Sequence, residues 1–332
     1  MSLRSLTDAR ILESALQTSA TVLSSPRFDS RDFAREQKRI LAALRHHAET
    51  PAQVAKKAFF EQMYGTHPYA HEVLGVPETV ESLTDGDVRR FYEQYYVASN
   101  AIAVVVGEVT RQKAASIIES LTADLKTGAP PEPIPAVTYN AEGRRESIAF
   151  PSAQTHIYSG MPALRRDDPE YYAFYLGNHV LGGSGLVSRI SEEIREKRGL
   201  AYSSSSSFSP MVRKGPFVMG LQTRNDQSAE ALKVLDETVA DFIATGPSDD
   251  ELAKAKMNLT GGFVLRYDSN SKLSDYVAMI GFYGLPLDYL DRFPEIIEEI
   301  GGDEIKAAFQ SHLDLKKFQT VLVGGETKSG GN

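Results

Sequence analysis

The chain repeats itself, and this limits its fold more than any local pattern, because both copies of a repeat must fold in the same way. Asp32-Phe-Ala-Arg35 answers Glu251-Leu-Ala-Lys254 at an offset of 219 residues, which also pairs Ile40 with Leu259, Val54 with Leu273 and Tyr64-Gly65 with Tyr283-Gly284. After a two-residue slip the offset is 217, and it pairs Pro77 with Pro294, Val80 with Ile297, Leu83 with Ile300 and Val104-Val-Val-Gly107 with Val321-Leu-Val-Gly324. The second copy begins near Arg144, so its counterpart would begin ahead of Met1. The unmatched stretch, about 145–223, reads as strands at 145–150 and 155–162, helices at 169–181 and 185–197, and strands at 201–209 and 214–222. Alternation of apolar and polar residues supports the strands, as in Thr155-His-Ile-Tyr-Ser159.

The first copy then keeps its helices, expected at 6–24, 30–48, 52–63, 85–96 and 110–125, but one clear strand, 101–106. A lone strand makes no stable sheet, so helices meant to cover one would present an apolar face to solvent. The sequence is therefore expected to be a fragment of a longer protein; the alternative is that another chain supplies the strands. Gly128-Ala-Pro-Pro-Glu-Pro-Ile-Pro135 reads as a stiff linker. Beyond it, helices are expected at 227–245, 248–266, 271–283, 288–299 and 302–313, with a last strand at 318–323. The final residues, 326–332, read as a flexible tail.

A second feature carries the chemistry. Leu181-Gly-Gly-Ser-Gly-Leu-Val-Ser-Arg189 leads into Glu193-Ile-Arg-Glu-Lys-Arg-Gly-Leu-Ala-Tyr202. This is a Gly-rich break, a charged helix that Ser184 is placed to cap, Gly199 as a stop, and a strand. Arg195 and Tyr202 stand seven residues apart across the turn. A guanidinium and a phenol reaching one spot would donate hydrogen bonds to a carbonyl or carboxylate, as a peptide backbone requires.

These motifs resemble the C-terminal domain of the pitrilysin, insulin-degrading-enzyme and mitochondrial-processing-peptidase family, zinc peptidases with an inverted His-x-x-Glu-His motif. The resemblance implies an α+β fold of two homologous α/β domains, each an antiparallel-rich sheet with helices packed on one face. On that basis 1–126 is the C-terminal part of an incomplete first domain, 127–142 the Pro-rich linker, 143–325 a complete second domain and 326–332 the tail. It also implies that Arg195 and Tyr202 hold the substrate's backbone beside the scissile bond.

The family's metal chemistry is not visible in this chain. Of seven His, His46 and His47 are adjacent, His67 belongs to a Tyr-Gly-x-His-Pro-Tyr segment that is structural in the family, with His71 four residues on, and His156, His179 and His312 are isolated. The stretch 28–45 resembles the helix that carries the third zinc ligand: Glu36 matches an accessory acidic position, and Ala43 stands where the ligand Glu belongs. A methyl group cannot bind zinc, so no metal or other cofactor is expected on this chain, and it is expected to be inactive alone. The resemblance then implies a substrate-binding subunit that pairs with a zinc-bearing homologue, or with itself, in peptide degradation or processing. A structural core-type subunit, a fragment of an active peptidase and a peptide-binding module are the alternatives.

Composition narrows the partners. Net charge is −8, which disfavours nucleic acid and anionic membranes. Cys is absent, which removes disulfides, thiolate metal sites and Cys nucleophiles. No apolar run is long enough to span a bilayer. A periplasmic location is expected from the paired bacterial members of the family, with the cytoplasm as alternative.

Overall fold

We describe residues 1–138 and 142–325 of the chain in a computed structural model. The tail expected at 326–332 lies outside them, as do three residues of the expected linker. In order the chain forms α1 (Ala9–Ser24), α2 (Ser30–Ala48), α3 (Pro51–Tyr64), α4 (Pro77–Ser82), α5 (Asp85–Tyr95) and α6 (Arg111–Thr122). Then come β1 (Arg145–Ala149), β2 (Gln154–Pro162), α7 (Tyr171–Asn178), the single turn α8 (Arg189–Ser191), β3 (Ala201–Phe208) and β4 (Pro216–Arg224). The chain continues through α9 (Ser228–Thr245), α10 (Asp249–Gly261), α11 (Asn270–Tyr283), α12 (Tyr289–Glu299) and α13 (Gly302–His312) to β5 (Gln319–Gly324). No described helix is long and apolar enough to cross a membrane.

The contacts divide the chain into two units. One holds 1–42, 76–133 and 264–287; the other holds 43–75, 134–263 and the residues from 288 onward. In the first, α1 starts on Asp8, whose carboxylate accepts the backbone N–H groups of Arg10 and Ile11. A capping box between Thr84 and Asp87 starts α5. Tyr92 donates to the carbonyl of Leu23 at 2.6 Å, and Gln37 donates to that of Val80 at 2.8 Å. No residue of α5 is buried, and Phe91, Ile102 and Val22 are largely exposed. The strand expected at 101–106 does not form: the segment joins no ladder among the described residues. Strand conformation persists only where a neighbour takes up the backbone hydrogen bonds.

The second unit is built on a five-stranded mixed sheet in the order β1-β5-β2-β4-β3. β1 runs parallel to β5, and the other three pairings are antiparallel. One face carries Ile157, Met161, Phe217, Met219 and Leu221, all buried. Against it stand α7 and α13, where Phe174 stacks on Phe309 with centroids 4.4 Å apart and meets Phe217 edge-on at 5.8 Å. Phe242 of α9 closes this layer against Phe309 at 4.9 Å.

The expectation of helices on a single face fails here. Tyr158, Val218, Val321 and Val323 point to the opposite face, and α3 covers them with Ala55, Phe59, Met63 and Tyr64. A central sheet with apolar side chains on both faces needs two covers. His67, buried just beyond α3, accepts the N–H of Tyr69 through Nδ1 at 3.1 Å and lies 3.1 Å from the carbonyl of Pro135 through Nε2. That is the structural role expected of this histidine.

Candidate functional site

Helix α7 does not end in a simple cap. Its last turn widens into a π-turn over His179–Gly183, which seats the glycine pair against the sheet. A Cβ on Gly182 would fall on the backbone nitrogen and side chain of Ser206 in β3, and one on Gly183 would crowd Asn178. Asn178 in turn accepts the Ser206 hydroxyl at 2.8 Å. The glycine motif is thus a packing device that lets a helix end lie directly on a strand.

After Gly185, at φ 69°, the turn Gly185–Val187 leads to Ser188. Ser188, not Ser184 as expected, caps the next helix: its hydroxyl oxygen accepts the N–H of Ser191 at 3.4 Å. Ser184 sits in the turn before Gly185, too early to face that helix's first N–H groups.

Arg189 reaches into the second unit's interior, with its side chain 15% exposed. It grips Glu251 through two bonds, at 2.9 and 2.6 Å, and donates to Asp241 at 3.2 Å and to the carbonyl of Gly246 at 3.1 Å. Its guanidinium also lies over the ring of Phe242. Glu251 closes the capping box of α10 with Ser248. Burial works to raise the Glu251 pKa, but the hydrogen bonds from Arg189 and Ser248 overcome it and hold the carboxyl down at about 2.

A second π-turn, Glu192–Glu196, carries Arg195. Ile194 beside it is fully buried and anchors the turn. Glu193 accepts from Lys197 and Arg198, each at 2.6 Å. Gly199 at φ 61° then ends the segment; its N–H returns to the carbonyl of Arg195 and that of Leu200 to Ile194, each at 2.9 Å. This is the left-handed glycine stop expected at that position.

Strand β3 begins with an irregularity. Ala201 pairs with Thr223 and Ser203 with Gln222, so Tyr202 is the extra residue of a β-bulge. The bulge turns the tyrosine out of the sheet, and it is 88% exposed. Its phenol makes no hydrogen bond among the described residues, and the one ion pair of Arg195 there is with adjacent Glu196 at 3.5 Å. Arg195 and Tyr202 share no hydrogen bond or cation–π contact. Both sit where β3, one of the sheet's two outer strands, starts. Ser203, Ser205 and Ser207 face solvent while Ser204 and Ser206 face inward, so the serine run has one solvated face and one packed face.

The positions compared with a zinc site do not fit one. Glu36 is held by Arg39 at 2.7 Å and Arg35 at 3.4 Å, and these cations, Arg39 first, keep its carboxyl below the ordinary range. Two turns along α2, Ala43 offers only a methyl group. Among the described residues one trio of metal-ligating side chains does converge, Asp168, Glu170 and His312. The sequence gives no sign of it, because His312 lies 142 residues beyond Glu170.

The family model of the peptidase M16 inactive domain matches residues 82–259. An uncharacterized zinc protease of Streptomyces coelicolor is 30% identical over 326 residues, covering 95% of this chain and 70% of that protein. A non-peptidase homolog of Helicobacter pylori is 23% identical over 312 residues, covering 92% and 71%. The crystal structure of a peptidase M16 inactive domain from Pseudomonas fluorescens superposes with a TM-score of 0.93 at 34% identity, covering 97% of this chain and 77% of that one. The chain belongs to the M16 peptidase family and is of its inactive-domain type.

Proposed function

We propose that this chain is the substrate-binding, non-catalytic half of a peptidase. The observation that carries this reading is the pairing of two facts: Ala43 stands where a zinc ligand is expected, while at the start of an outer strand Tyr202 is exposed and Arg195 is partly exposed. An extended peptide laid beside β3 would satisfy the strand's outer hydrogen-bonding groups. The Tyr202 hydroxyl and the Arg195 guanidinium would then donate to its carbonyl oxygens. Water activation by zinc would belong to a homologous subunit that carries the inverted motif. Orienting the peptide and activating the water are separable tasks, so neither subunit alone would turn over substrate.

In this reading 1–126 and 143–325 derive from two copies of one domain, and the working form is a hetero-oligomer in the periplasm. The test is reconstitution with a homologous subunit bearing the His-x-x-Glu-His motif, followed by cleavage of a fluorogenic peptide. Arg195→Ala combined with Tyr202→Phe should lower kcat/KM about 100-fold, the scale set by loss of oriented donors at a reacting carbonyl, with the subunits still associated. Unchanged turnover would overturn the role. Turnover by this chain alone would overturn the division of labour.

A further inference from the structure

We infer that Asp168, Glu170 and His312 form a binding site for a divalent transition-metal ion, on elements other than those that hold Arg195 and Tyr202. One ligand atom from each residue lies within 4.8 Å of the other two. The His312 Nε2 is 2.8 Å from a Glu170 oxygen and 3.6 Å from one of Asp168. Ligands about 2.0–2.2 Å from a tetrahedral ion stand roughly 3.3–3.6 Å apart; the His312–Asp168 spacing of 3.6 Å matches this, and the His312–Glu170 contact at 2.8 Å would have to open slightly.

Charge points the same way. The ion pairs of Asp168 and Glu170 among the described residues run to His312 and to no Lys or Arg. Two carboxylates around a neutral imidazole leave two negative charges in partly buried positions, with side chains 19% and 40% exposed. A protonated imidazole cancels one of those charges; a divalent cation cancels both.

The outer shell is also in place. Ser311 donates to the Glu170 oxygen that faces His312, at 2.9 Å. The N–H of Glu170 donates to Asp168 Oδ1 at 3.0 Å. The His312 ring stands edge-on to the fully buried Phe174, with centroids 6.1 Å apart. Ligands oriented by such partners bind metal more tightly than mobile ones. One imidazole nitrogen with two carboxylate oxygens suits zinc or manganese better than the all-oxygen demand of calcium or magnesium, and the exposed side of Glu170 leaves room for water to complete the shell. The bound ion would tie the turn ahead of α7 to the end of α13.

The site does not depend on the proposed peptidase role, and the test reads metal alone. The chelator-stripped full chain is dialysed against Zn²⁺, and bound zinc is counted by elemental analysis. The expected result is one equivalent per chain, lost or weakened at least tenfold in His312→Gln and in Asp168→Asn. It should be retained in the His46→Gln/His47→Gln control, which removes the adjacent pair on α2. Zinc should raise the thermal midpoint of the wild-type chain and not that of His312→Gln. Should either variant unfold, Co²⁺ added to the wild-type chain should shift the His312 ring resonances before those of the other six histidines. Zinc no higher than background, binding unchanged in both variants, or first shifts at another histidine would each overturn the site.

Discussion

Arg189 and Arg195 lie six residues apart in one motif and do opposite work. Arg189 is 15% exposed and makes four hydrogen bonds to Glu251, Asp241 and Gly246. Among the described residues Arg195 has one long ion pair, to its own neighbour. Both sit in the same irregular helical stretch, yet the first closes a structural junction and the second is left uncommitted. A guanidinium whose donors are used internally serves stability; one whose donors are free is available to a ligand.

This contrast is open to attack by mutation. Arg189→Ala should cost the most, about 3–5 kcal/mol, because it leaves Glu251 partly buried without its cation; chemical denaturation should show a large fall in midpoint. Gly182→Ala should cost about 1–3 kcal/mol, because the new methyl lands on β3 at Ser206, again seen as a lowered midpoint.

Acid should release the Arg189 junction. The folded Glu251 carboxyl sits at about 2 against an ordinary 4.5, so it binds fewer protons folded than unfolded. Its contribution, about 3 kcal/mol, is present above pH 4.5 and is lost as pH falls toward 2. Denaturation across that window should show the loss in wild type and a flatter profile in Glu251→Gln. At the other end of the comparison, Arg195→Ala and Tyr202→Phe should each move the isolated chain's stability by no more than about 0.5 kcal/mol. A cost as large as that of Arg189→Ala would mean that the two arginines share one structural role.

Much of the second unit's strand pattern was legible because period-2 alternation is a local property, as in Thr155 to Ser159. The helix starts expected at 85 and 248 were legible for the same reason, and the structure caps them with Thr84 and Ser248. Gly199 could be read as a stop because a left-handed residue there favours glycine. The π-turns around Gly182 and Arg195 could not be read, since their widened hydrogen bonding answers to the strand packed beneath them. The bulge at Tyr202 was hidden too: its register is set by Gln222 and Thr223, 20 and more residues away. Placement of α3 on the sheet's second face, and the meeting of His312 with Asp168, are long-range facts with no local trace.

The β3 edge has a consequence for the company this protein keeps. An exposed strand edge invites identical chains to pair with one another and aggregate. Here the outward side chains are serines, which add no greasy adhesion, and the bulge at Tyr202 breaks the regular spacing that a second copy's strand would need. Such an edge discourages stacking of copies, yet a short extended segment can still lie along it beyond the bulge.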